Sequence, residues 1–186
     1  GSRVYRASCN CRCLELLCNA SGAGQTENEG KKMTESLNKS SRECALIAAR
    51  AADEKKATDI LVQDVRELVG VTDYFVIATA ANNRQVNAIV DEIEEQLRKL
   101  AGEKPLHREN TRDGSWELLD YGSYVVHVFQ PETREFYRLE ALLNDAPIVD
   151  LADEAGLSDV QYSERIAQFL EDAGKRAEEA YGENAE

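Results

Sequence analysis

Histidine and tryptophan are scarce in this chain of 186 residues: it has two histidines, His107 and His127, and one tryptophan, Trp116. Imidazole-based acid–base or metal chemistry therefore has little material. Long apolar runs are missing too. No stretch approaches the roughly 18–20 apolar residues of a membrane-spanning helix, and no charged-then-apolar leader is visible, so a soluble intracellular protein is expected. The Walker loop, the G-x-S-x-G elbow, the H-E-x-x-H pair and the dinucleotide-binding glycine fingerprint are all absent, and no tandem repeat occurs.

Cysteine nearly vanishes after the first 20 residues. Of five, Cys9, Cys11, Cys13 and Cys18 lie at the start and only Cys44 lies further on. The C-x-C-x-C spacing lacks the paired C-x-x-C clusters of a structural zinc module, so no metal is expected and an unstructured extension is favoured. The only methionine, Met33, follows directly. Residues 1–39 are therefore expected to be a disordered extension, with residues 1–32 a cloning remnant plus sequence upstream of a natural start near Met33. The polar, glycine-containing stretch 19–32 has a linker's composition.

Positive charge is the third shortage. Lysine and arginine total 22 against 35 aspartates and glutamates, a net charge of −13. Residues 1–32 carry five cations and three acids, so the remainder carries 17 against 32, a net of −15. Nucleic-acid affinity rests on neutralising phosphates, and a compact domain of this charge is repelled by bare RNA or DNA. A basic protein is the better-matched partner.

What is present begins with Ser40 and Glu43, spaced as a capping box, ahead of Cys44, Ile47, Ala48 and Ala51 on one helical face. Residues 59–65 and 73–79 read as strands, the second apolar enough to be central, with Gly70 permitting the reversal between them. Asn82 or Asn83 caps the strongest helix signal, in which Val86, Ile89, Val90, Ile93, Leu97 and Leu100 share a face. Its outer face offers Glu94 with Arg98 and Glu95 with Lys99, and Gly102 ends it. Residues 103–115 are predicted to be a loop. Pro131 opens a last helix with an apolar face of Phe136, Leu139, Leu142 and Leu143, stopped at Asp145-Ala-Pro147. Residues 151–186 read as an acidic tail, in which Tyr162, Ile166, Phe169, Leu170 and Ala173 permit one amphipathic helix.

Between the loop and the last helix lies the stretch 116–129, two short apolar strands around Tyr121-Gly122-Ser123, a predicted β-hairpin. Tyr124–Phe129 is nearly continuously apolar, as in a strand covered on both faces, and His127 within it reads as a hydrogen-bonded structural residue. The expected architecture is a mixed sheet of about five strands flanked by helices, an α/β (α+β) sandwich. Gly114-Ser115 matches the Gly-Ser of nucleotidyltransferases, but Glu117 and Asp120 downstream are three apart and point to opposite sheet faces. That leaves no convincing catalytic set.

Thr72-Asp-Tyr-Phe-Val-Ile-Ala78, the segment 83–95, Trp116-Glu-Leu-Leu-Asp-Tyr-Gly122, Val125-Val-His-Val-Phe129 and Arg134-Glu-Phe-Tyr-Arg-Leu-Glu140, in that order, resemble the ribosomal silencing factor (Iojap) family over roughly residues 40–150. Ser123, Tyr124 and Leu143 depart from its pattern. The resemblance implies a nucleotidyltransferase-like fold without the catalytic site, no enzyme activity and no cofactor. It also implies a homodimer that binds ribosomal protein L-fourteen on the large subunit, blocks subunit joining and lowers translation when nutrients are scarce; members occur in bacteria, mitochondria and plastids, and an acidic chain without an Arg/Ser-rich amphipathic presequence favours the bacterial cytoplasm. The residues it points to for partner contact are Trp116, Glu117, Leu118, Asp120, Tyr121 and Arg84. A metal-dependent nucleotidyltransferase and a dimeric scaffold without a ribosomal partner are the alternatives.

Overall fold

Ser40 holds the first helix in place by the predicted capping box: its hydroxyl accepts from the Glu43 amide and its own amide donates to Glu43 Oε2. This starts α1 (Ser41–Glu54) in a computed structural model that describes residues 39–182. The expectations for residues 1–38, the cysteine cluster among them, and for the last residues of the acidic tail lie outside that range. Ser40→Ala is expected to cost about 1 kcal/mol, read from the urea midpoint, since the Glu43 amide loses its acceptor while the amide of residue 40 keeps Glu43 Oε2.

Five strands follow α1: β1 (Thr58–Asp64), β2 (Tyr74–Thr79), β3 (His107–Asn110), β4 (Trp116–Asp120) and β5 (Tyr124–Phe129). They form one mixed sheet in the order β1-β2-β5-β4-β3, in which β2 and β5 run parallel and every other pair is antiparallel. A short helix, α2 (Arg66–Val69), joins β1 to β2 and ends at Gly70, whose φ of 72° suits glycine. The predicted hairpin is β4–β5, and Gly122 takes a φ of 84° in its turn.

Between β2 and β3 runs α3 (Asn83–Leu100), capped by Asn82 through the Gln85 amide at 3.0 Å. Val86, Ile89, Val90, Ile93 and Leu97 are buried as the periodicity requires, while Leu100, in the last turn, is 42% exposed. Together with α1 this helix covers one face of the sheet, where Val62, Val76, Val126 and Leu119 line up across four strands. Burying such a contiguous apolar layer is the main stabilising term of the domain. Of the two pairs expected on its outer face, Glu95–Lys99 forms at 2.7 Å, whereas Glu94 turns to Arg108.

Three features depart from the sequence reading. The expected loop 103–115 contains β3, an edge strand whose four residues are all exposed and polar, so it has no apolar alternation to betray it. The last helix is broken. Arg138 adopts a φ of 47°, dividing α4 (Pro131–Tyr137) from α5 (Leu139–Leu142). The break shifts the helical phase, so Phe136 and Leu142 emerge 80% and 76% exposed while Arg134 and Glu140 are buried. Finally, the acidic stretch packs on the domain: α6 (Leu151–Ala155) buries Leu151 and Ala155, and α7 (Glu164–Gly182) buries Ile166. Asp59 Oδ1 accepts from the Ser163 amide, and the Tyr162 hydroxyl donates to the Ile60 carbonyl.

Candidate functional site

The second face of the sheet is covered unevenly. Over β1 and β2 it is buried: Gln63, Leu61 and Ile77 have no more than 1% exposure beneath α4, α5 and the chain near Ile148. Over β4 and part of β5 it opens. Cross-strand neighbours share a face, so the pairs Trp116–Phe129, Leu118–His127 and Asp120–Val125 place Trp116, Leu118 and Asp120 together on it, all partly exposed. Phe75, across from Val125 on β2, joins them.

Trp116 is the centre of this surface. Its indole stacks on Phe129 at 4.9 Å, meets Tyr137 of α4 at 4.9 Å and lies 5.9 Å from the ring of His127. Tyr137 in turn makes an edge contact with Phe136 at 5.1 Å, so the aromatic surface climbs from the sheet onto α4 through a half-exposed ring to one that is 80% exposed. Isolated exposed apolar residues are ordinary. A connected cluster of large ones marks a contact surface.

The six residues expected at the partner contact do not form one surface. Trp116, Leu118 and Asp120 do, with Asp120 partly engaged by the Gly122 amide at 2.7 Å. Glu117 and Tyr121 are a correction: the two-residue alternation turns them to the helix side, where they are 3% and 8% exposed. Glu117 is paired with Arg108 at 2.9 Å, and Tyr121 stacks on Tyr124 at 4.7 Å with its hydroxyl pKa raised by burial. Arg84 is exposed in the first turn of α3, next to Asn83, which donates to the Asp113 carbonyl beside the start of β4. Phe75, Phe136, Tyr137 and Leu142 were not anticipated at the site. The adjacent aromatic pair Phe136-Tyr137 was the available signal, and a periodicity that ignored the break at Arg138 concealed it.

His127 lies beneath the aromatic cluster, 5% exposed, with its ring 5.2 Å from Phe75 and 6.0 Å from Phe129. Among the described residues neither ring nitrogen has a hydrogen-bond partner, which corrects the expected hydrogen-bonded histidine. Burial alone lowers its pKa from the usual 6.5 to about 4. The folded state thus favours the neutral ring, and the unfolded chain takes up the proton first as pH falls. Its stabilising contribution is complete above pH 6.5 and declines toward about pH 4, a loss of about 3 kcal/mol. Urea unfolding at several pH values should show that decline in the parent and a shallower one in His127→Phe, with equal slopes disproving the assignment.

Gly114-Ser115 is engaged in local structure. The Ser115 hydroxyl donates to Asp113 Oδ1 at 2.9 Å, and the two carboxylates downstream lie on opposite faces as their spacing requires.

Helices on one face and a half-open aromatic surface on the other define an α+β domain. Solved structures share this arrangement. A protein from Chromobacterium violaceum matches with a TM-score of 0.53 at 33% identity, covering 56% of this chain and 86% of that one. One from Bacillus halodurans matches with a TM-score of 0.51 at 31% identity, covering 59% and 99%. The model of the family described as ribosomal silencing factor during starvation matches residues 38–180, and the chain belongs to that family. The match takes in α6 and α7, beyond the span over which the motifs resemble the family. Among its relatives, the ribosomal silencing factor of Bacillus subtilis is 42% identical over 105 residues, 56% of this chain and 88% of that protein. The chloroplastic Iojap protein of Zea mays is 42% identical over 111 residues, and the chain spans about half of that longer relative, 46%.

Proposed function

We propose that the protein docks on the large ribosomal subunit through ribosomal protein L-fourteen, and that its bulk there keeps the small subunit from joining, which lowers translation when nutrients are scarce. It acts in the cytoplasm as a homodimer, by occupancy and without catalysis. The observation that carries the reading is the connected aromatic surface of Trp116, Tyr137 and Phe136, open beside Leu118. Aromatic anchors of this kind dominate protein interfaces. Charge supports it: with 35 acids against 22 cations the chain is repelled by ribosomal RNA but attracted to a basic protein, which favours encounter rate and orientation. Family membership supplies the ribosomal context.

Sedimentation of the purified protein with separated subunits tests this. The protein should migrate with large subunits and reduce the yield of joined ribosomes as its concentration rises. Migration with neither subunit, or undiminished joining, overturns the proposal. Sedimentation equilibrium of the protein alone tests the dimer.

A further inference from the structure

The bonds that seat α7 lead to the element carrying the aromatic pair Phe136-Tyr137. They gather in and just before its first turn, where Ile166 is fully buried. Asp59 takes part in three of them. The register of β1 against β2 shifts between Thr58 and Leu61, and Asp59, within that irregularity, adopts a φ of 53°. Its amide donates to the Gln161 carbonyl at 2.8 Å, and its Oδ1 accepts from the Ser163 amide at 2.5 Å. Its carbonyl accepts from Arg134 Nη1 of α4 at 2.5 Å. One residue thus joins the entry of α7 to α4.

Glu140 makes a second link to the same place. Its buried carboxylate is held through Oε1 by Arg165 of α7, and its Oε2 lies 3.6 Å from Arg134 Nε. Two routes therefore run from α7 to Arg134. One helical turn beyond Arg134, the ring of Tyr137 meets Trp116 at 4.9 Å. Arg138 follows with a φ of 47°. A non-glycine residue stays in that region where its surroundings over-determine it. Here Arg134 is fixed before the bend and Glu140 after it. Loss of the Arg165 bond leaves the Glu140 carboxylate buried beside one loosely placed cation. The cheapest relief is for residue 140 to move toward water, which relaxes the bend and carries Phe136 and Tyr137 with it.

We infer that Arg165 and Asp59 are positioning residues for the aromatic surface: through them α7 sets α4, and α4 sets how Tyr137 and Phe136 lie against Trp116. Coupling of this kind passes through ion pairs, hydrogen bonds and packed rings in unbroken contact. The consequence for docking rests on the proposed ribosomal reading, whereas the positioning itself does not.

Trp116 is the lone tryptophan, so its emission in the full chain, excited where tyrosine does not absorb, reads the arrangement directly. Tyr137→Ala uncovers the indole and sets the reference: emission at longer wavelength and easier quenching by acrylamide. Arg165→Ala should move both readings in that direction. Arg165→Gln, which still offers Glu140 a donor, should move them less, and Arg165→Lys should restore the parent values. Ser40→Ala weakens the fold at α1 and should leave both readings unchanged, so a shift does not follow from lost stability alone. Circular dichroism confirms that each variant is folded, and Arg165→Gln carries the test if Arg165→Ala is not. In sedimentation with large subunits, Arg165→Ala should bind about fivefold more weakly than the parent.

Emission and quenching at the parent values in the folded Arg165 variants overturn the inference. So does a shift in Ser40→Ala equal to that in Arg165→Ala. A shift confined to Arg165→Ala and Arg165→Gln supports the positioning even where the parent fails to bind large subunits or the variant binds them undiminished; either of those results tells against the ribosomal reading of the surface instead.

Discussion

Replacing Arg134 by methionine is expected to destabilise the domain by about 3 to 5 kcal/mol, the largest stability effect of any single substitution considered. The guanidinium is 1% exposed. Its Nη1 donates to the Asp59 carbonyl at 2.5 Å and to Thr79 Oγ1 at 2.8 Å, and its Nε lies 3.6 Å from Glu140 Oε2. Glu140 has no exposure at all, and Arg165 of α7 holds its other oxygen. Removing Arg134 leaves Glu140 with Arg165 as its one cation and strips the buried Asp59 carbonyl and Thr79 hydroxyl of a donor, and the cost of such buried groups losing partners exceeds the net worth of the pair. Burial lowers the Arg134 pKa, the same desolvation seen from the cation's side. The double variant Arg134→Met, Glu140→Leu should therefore lose less than the sum of the single losses, because no buried carboxylate remains and Arg165, whose side chain is 32% exposed, can turn to water. Urea unfolding of the four proteins in a double-mutant cycle measures this. A single-variant loss below about 1 kcal/mol would show the network to be energetically neutral.

In the proposed ribosomal role, Trp116→Ala should weaken large-subunit binding by about 2 kcal/mol, or roughly thirtyfold. Trp116 also packs on Phe129 and Tyr137, so the same change should lower fold stability, and the two losses must be separated. Phe136→Ala separates them. That ring is 80% exposed, so truncating it removes little internal packing, and a substitution at such a surface position ordinarily shifts stability by less than about 0.5 kcal/mol. If Phe136→Ala weakens subunit binding at unchanged stability, the aromatic surface is the contact. If both variants bind as the parent does, Trp116 belongs to the core alone and the docking surface lies elsewhere.

Local chemistry was most legible where one short segment contains the whole cause. Ser40 with Glu43, Asn82 with Gln85, Pro131 at a first helical turn and Gly122 in the hairpin each act within four residues. The apolar period of α3 and the continuous run of β5 likewise announce how many sides are covered. Reading failed where the cause was distant. β3 is a strand only because β4 supplies hydrogen bonds to a polar segment, and His107-Arg-Glu-Asn110 carries no sign of that neighbour. The assignment of α4 and α5 inverted because Arg138, a non-glycine at positive φ, broke the phase that an unbroken helix would have kept. The helix α7 was legible in the period of Tyr162, Ile166, Phe169, Leu170 and Ala173, but its seat was not, because its attachment depends on Asp59 and Glu140, more than 20 residues away along the chain.

At the candidate site the division is the same. From composition and alternation alone came the acidic surface, the lone tryptophan opening a strand, the hairpin and the opposite facing of Glu117 and Asp120. Each is a property of residue type or of the two-residue period, so no partner segment is needed. The tertiary structure decided which face of that strand stays open. Helices α1 and α3 bury the side carrying Glu117 and Tyr121, while on the other side α4 reaches Trp116 through Tyr137 and leaves Trp116 and Leu118 partly exposed. Which face is covered depends on where non-neighbouring segments pack, and packing is a balance of burial over the whole chain that no local pattern records.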